Sequence, residues 1–234
     1  MRHSVVALFV AGLSLLGTAS ATAGPITINV GSFSGGSAVI NAPGTLANGL
    51  DVVLGSVLIT GDLGTFQSYC VDLQHYDLSG PNQTVVNTMN NWNNTAVPAH
   101  ADLGGGAASW LYNTYGLAAV GNQAKEAALS LAIWNVLYDN DFTVLGGTGF
   151  SVSSLSNQTY GTLANQYLAS LQTAMTQGVT LPNDLWLQTA NVSQNYAQDF
   201  IAPVPEPATL SLLVIALACG AVFVRKERSR LVGD

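Results

Sequence analysis

A thiol, carboxylates and an imidazole lie close together in the first half of this 234-residue chain, at Cys70, Asp72, His75 and Asp77, with Gln74 among them. Asp72, His75 and Asp77 are donors that a turn could gather around Ca²⁺ or Zn²⁺. Their spacing matches no established metal loop, and in an extended strand Asp72 and His75 point to opposite faces. Only a bend after Leu73 brings them together, and the alternative is a solvated turn. His100 and Asp102 form a weaker pair. Asp139 and Asp141 follow an apolar segment, at the end of a helix dipole that disfavours carboxylates, so a hydrogen-bonded turn is expected there ahead of a cation.

Catalytic patterns are missing from the sequence. It has no Gly-x-Ser-x-Gly elbow, no phosphate-cradling glycine loop and no His-Glu-x-x-His. Beyond His3 the histidines are His75 and His100, and no Asp pair has a spacing that favours glycoside hydrolysis. The chain is expected to be non-catalytic and to need no cofactor; a secreted polysaccharide hydrolase is the alternative.

The elements that must position these residues form an α+β pattern. Short Val-, Ile- and aromatic-rich segments at 26–30, 38–40, 51–60 and 66–73 read as strands separated by Gly- and Asn-rich turns, an antiparallel β module. Cys70 falls in the last strand, sharing a face with Phe66, Ser68 and Asp72. Residues 82–94 are Asn/Thr-rich and read as loop with a short strand at 85–89. A helix is expected over 103–115 despite Gly104, Gly105 and Gly106, which weaken it. Residues 122–138 are apolar on almost every side, a buried central helix with Asn122 as N-cap. A second long helix is expected over 154–177, ending at Gly178, followed by strands at 184–192 and 196–201 with Trp186 and Phe200 in the core. No internal repeat is apparent.

Both ends carry targeting chemistry. Arg2 and His3, an apolar stretch over 5–16 and the small residues Ala21 and Ala23 before Gly24 read as a secretory signal helix over 1–23, removed by signal peptidase. At the other end Val204, Pro205, Glu206 and Pro207 precede an apolar run over 208–224, followed by Arg225, Lys226, Arg228 and Arg230. At helical rise that run spans roughly 25 Å, the lower limit for a transmembrane helix, and the basic residues hold its end in the cytoplasm. The prolines keep the segment before it extended and open to a processing enzyme. A plain C-terminal anchor is the alternative.

A Pro-Glu-Pro motif, an apolar helix and an Arg-rich end, in that order, resemble the PEP-CTERM sorting signal of Gram-negative bacteria, a tail also labelled ice-binding protein C-terminal domain. The resemblance covers residues 204–234. It implies transient anchoring in the inner membrane, removal by an exosortase, and release to the cell surface or an exopolysaccharide matrix. The mature region then runs from about 24 to 203 as one domain, and Cys219 leaves with the tail, so Cys70 has no intramolecular disulfide partner. From Gly24 to Val204, Lys125 is the single Lys or Arg, set against ten acidic residues. Such a surface excludes nucleic-acid binding, which depends on neutralising phosphates. Its Asn, Gln, Ser and Thr are compatible with exopolysaccharide as a partner. Regular Thr-rich repeats that would present an ice-matching face are missing.

Tyr69-Cys70-Val71-Asp72 in a strand, with Leu129-Ser130-Leu131-Ala132-Ile133-Trp134 in a helix, also resemble the two signatures of the thioester domains of surface adhesins. In that family the cysteine and a helix glutamine form an internal thioester that captures amines. Cys70 matches the cysteine and Trp134 the tryptophan, but Ser130 stands where the glutamine belongs and has no carboxamide to acylate the thiol. Gln123, two helical turns earlier, is displaced by roughly 10 Å along the axis. Cys70 as a small buried hydrophobe is the alternative. Together these observations predict an exported structural or adhesive protein, with a covalent adhesin using Cys70 as the second reading.

Overall fold

The computed structural model describes residues 26–75, 80–92, 101–139, 141–147, 149–190 and 198–204. The mixed α+β class expected from the sequence is what it shows. Among the described residues nine strands and three α-helices follow in the order β1 (Ile26–Phe33), β2 (Ser37–Asn41), β3 (Asp51–Val53), β4 (Val57–Gly61), β5 (Gly64–Cys70), β6 (Gly80–Thr88), α1 (Ala101–Ala119), α2 (Gln123–Tyr138), β7 (Ser151–Leu155), α3 (Thr159–Thr176), β8 (Leu185–Ala190) and β9 (Phe200–Ala202). Six strands close an antiparallel barrel in the order β1-β4-β5-β9-β8-β6, and β3-β2-β7 form a small separate sheet. Period-2 burial drives the barrel strands: Val57 and Ile59 are buried while Leu58 between them is exposed.

The single segment expected over 51–60 divides at Gly55, where the chain passes from the small sheet into the barrel. Gly55 has φ +111°, and a Cβ there would lie 2.3 Å from the Gly35 amide nitrogen. Residues 80–88 are a full strand rather than loop, because β6 pairs with β1 on one side and β8 on the other. Two hydrogen-bonded ladders override the weak strand preference of Asn and Pro. Residues 151–155, placed partly in a helix by the sequence reading, instead add β7 to the edge of β2. The helix begins later, at Thr159, and terminates as expected at Gly178 with φ +73°.

α2 packs against both α1 and α3, and every residue from Glu126 to Tyr138 is buried. Asn122 caps it by accepting from the Lys125 amide at 3.2 Å. The glycine run that weakens α1 as an isolated helix is what lets it dock, since a Cβ on Gly105 would sit 1.8 Å from the Met89 carbonyl oxygen. Trp186 and Phe200 are buried as expected. Among the described residues no helix is long and apolar enough to cross a membrane. The signal segment 1–23, Pro205, Glu206 and Pro207, the apolar run and Arg225, Lys226, Arg228 and Arg230 lie outside the described residues, while Val204 is half-exposed.

Candidate functional site at the barrel seam

The barrel closes through a short strand. β9 pairs with β5 at Tyr69↔Ile201 and Cys70↔Phe200, and the next rung is the Val71 amide donating to the Asp199 carbonyl at 2.9 Å. β5 ends at Cys70, not at Leu73 as the sequence pattern implied. The chain turns there, and the turn recruits the thiol: Cys70 Sγ donates to the Asp72 carbonyl at 3.0 Å and accepts from the Asp72 amide at 3.3 Å. The alternation that placed Tyr69 and Cys70 on contrasting faces loses its meaning here, because sheet and helix bury Ser68, Tyr69, Cys70 and Val71 alike.

α2 clamps the turn through two side chains. Trp134 Nε1 donates to the Cys70 carbonyl at 2.9 Å, and the Tyr138 hydroxyl, one helical turn on, accepts from the Leu73 amide at 2.8 Å. Asp72 Oδ1 accepts from the Gln74 amide at 2.7 Å and Oδ2 contacts His75 Nδ1. The bend needed to bring Asp72 and His75 together is therefore present. Asp77 lies outside the described residues, and among those described no group of three His, Cys, Asp or Glu side chains could hold a metal ion.

Burial sets the protonation of this cluster. It pushes the Cys70 thiol well up, with the Asp72 carboxylate adding to the effect, so the sulfur is a poor nucleophile at neutral pH. Burial also raises Asp72, against the opposing hydrogen bonds from Gln74 and His75. Asp199 is pushed up to about 7, first by burial and then by Asp72, although the Thr189 amide and Trp186 Nε1 each donate to it at 3.0 Å.

Of the three positions expected to be thioester-like, Cys70 and Trp134 meet and Ser130 does not join them. The Ser130 hydroxyl accepts from the Gly55 amide and donates to the Gly55 carbonyl, both at 2.9 Å, and so ties α2 to the corner between β3 and β4. Asp139 and Asp141 form the hydrogen-bonded turn expected of them, Asp139 Oδ2 accepting from the Phe150 amide at 2.9 Å and Asp141 Oδ1 from the Thr143 amide at 3.0 Å. His100 lies outside the described residues and Asp102 falls in the first turn of α1.

A cleft of about 240 Å³ opens beside the turn. Leu50, Asp51 and Val53 form one wall, Asp72, Leu73 and His75 another, and Trp134 and Gln198 also line it. Gln198 went unnoticed in the sequence, lying 126 positions from Asp72, and its Nε2 donates to the Asp72 carbonyl at 3.4 Å. Its Oε1 is buried with no partner among the described residues. A carboxamide and the Cys70 thiol thus share one carbonyl acceptor. Only the expectation of a strand over 196–201 pointed to this residue, and nothing in the sequence tied it to Cys70.

No protein-family model and no curated protein matches the chain. Among solved structures, the N-terminal thioester domain of fibronectin-binding protein SfbI from Streptococcus pyogenes is similar, with 16% identity and a TM-score of 0.41 over 65% of this chain and 87% of that one. The likeness is weak and assigns no function.

Proposed function

We propose that this is an exported, non-catalytic protein, sorted through its C-terminal tail to the cell surface or an exopolysaccharide matrix and acting there in structure or adhesion. The observation that carries the reading is the order of the sequence after Val204: a Pro-Glu-Pro motif, an apolar run of minimal spanning length and a basic end. The seam supports a binding role over a catalytic one. Its thiol is buried and held protonated, its carboxylates accept backbone amides, and the neighbouring cleft offers apolar walls with a few polar groups, as binding sites do. Fractionating the native host with and without residues 204–234 tests the sorting step. Intact-tail protein should leave the inner membrane and appear outside the cell; full-length, unprocessed chain held in the inner membrane would refute it.

One observation favours a second reading, a covalent adhesin. Gln198 places a carboxamide beside Cys70, at the acceptor the thiol itself uses. Attack of the sulfur on Gln198 Cδ would break the C–N bond and release ammonia carrying the thiol proton. Methylamine added to the isolated protein would then be found on Gln198 by peptide mass mapping, and an unlabelled Gln198 disposes of this reading.

A further inference from the structure

Among the described residues the small sheet leaves β3 as an edge. Its register with β2 fixes which way each backbone group points: the Ile40 amide donates to the Leu50 carbonyl and the Leu54 amide to the Gly36 carbonyl, with Val52 opposite Ala38 between them. In an antiparallel ladder the bonded pairs alternate, so Leu50, Val52 and Leu54 face β2, while the amides and carbonyls of Asp51 and Val53 point away from it. That outward edge borders the cleft, with the 71–75 turn across from it. Edge strands of this kind are templates for an added strand unless they are covered or blocked.

The surrounding side chains define what would be added. Leu50 and Val53, at 39% and 57% exposed, leave apolar surface at the rim. No Lys or Arg is among the described residues that line the cleft, whereas Asp51 and Asp72 are; Asp51 is exposed, and residues 24–204 as a whole carry one Lys or Arg against ten acidic residues. We propose that the cleft is a docking site for an extended peptide segment bearing a Lys or Arg side chain, which pairs its backbone with the free edge of β3 and sets its cation beside Asp51. A second copy of this chain is a poor occupant, because it would bring the same acidic field to the interface. The proposal rests on the adhesive reading above and names the partner class, a protein strand rather than a glycan.

Dye-labelled peptides of alternating Thr and Val with one central Lys, and their Glu twins, test this by fluorescence anisotropy on the protein isolated from its host. The Lys peptide should bind roughly tenfold or more tightly than its twin, and N-methylation of the amides that face the partner strand should remove binding. Val53→Pro deletes one outward amide at an edge position that tolerates proline and should abolish binding with the circular dichroism unchanged. Asp51→Lys, an exposed change, should reverse the preference between the twins. Equal binding of the two peptides, unaltered binding by Val53→Pro, or retention of host polysaccharide with neither peptide bound would overturn the proposal. Host fractionation reads the sorting step separately, so failure here and failure of export are distinguishable.

Discussion

Two consecutive turns of α2 face the strands and do different things. At Ser130 one hydroxyl satisfies both backbone groups of Gly55, and four residues earlier Glu126 accepts from the Gly121 amide at 2.8 Å and from the Ser34 hydroxyl. That region is a closed polar knot that pins the corner between the two sheets. At Trp134 the helix holds a turn with raised carboxylates, a protonated thiol and a carboxamide oxygen that has no partner among the described residues, beside a cleft. The first region supports the fold, and the second has unused recognition capacity. The contrast favours the seam as the candidate functional surface, and Ser130, which the motif resemblance placed where the glutamine belongs, serves the fold.

The largest effect should come from the seam's anchor. Trp134→Ala removes a buried ring and the donor to the Cys70 carbonyl and should cost about 3–5 kcal/mol, read from urea unfolding. If the loss is within error, α2 does not clamp the turn. Ser130→Ala leaves the Gly55 amide and carbonyl unsatisfied and should cost about 1–3 kcal/mol, without altering peptide binding in the cleft. A binding defect in Ser130→Ala would erase the distinction between the two turns.

Acid should favour the seam. Asp199 titrates near 7 when folded, against about 3.9 for an unfolded aspartate, so the folded chain holds the extra proton between those values. Its contribution is fully present below about pH 4 and is lost as pH rises through about 7. Urea midpoints should therefore fall over that window, and Asp199→Asn should flatten the slope; an unchanged slope would place the titration elsewhere. The smallest change should be Cys70→Ala, about 1 kcal/mol, because a buried thiol contributes as a small hydrophobe with weak hydrogen bonds.

Local patterns made much of the fold legible. The apolar residues on almost every side of α2 announced a buried helix, and Asn122 and Gly178 marked the boundaries where the chain caps and ends its helices. Long-range pairing was not legible: β6 is Asn-rich and becomes a strand because β1 and β8 flank it. The candidate site divides along the same line. Cys70, Asp72, His75 and Trp134 were visible as types and spacings. Gln198 and the β3 edge enter the cleft only through barrel closure and sheet order, which no local window encodes.

The most direct measurement is the intact mass of the protein recovered from outside the cells of its native host, combined with thiol titration after denaturation. The account predicts a chain beginning near Gly24, ending before the apolar run at 208–224, and titrating one thiol, Cys70. A chain retaining that run and found only in the membrane, or a mass short by one ammonia with no titratable thiol, would contradict it.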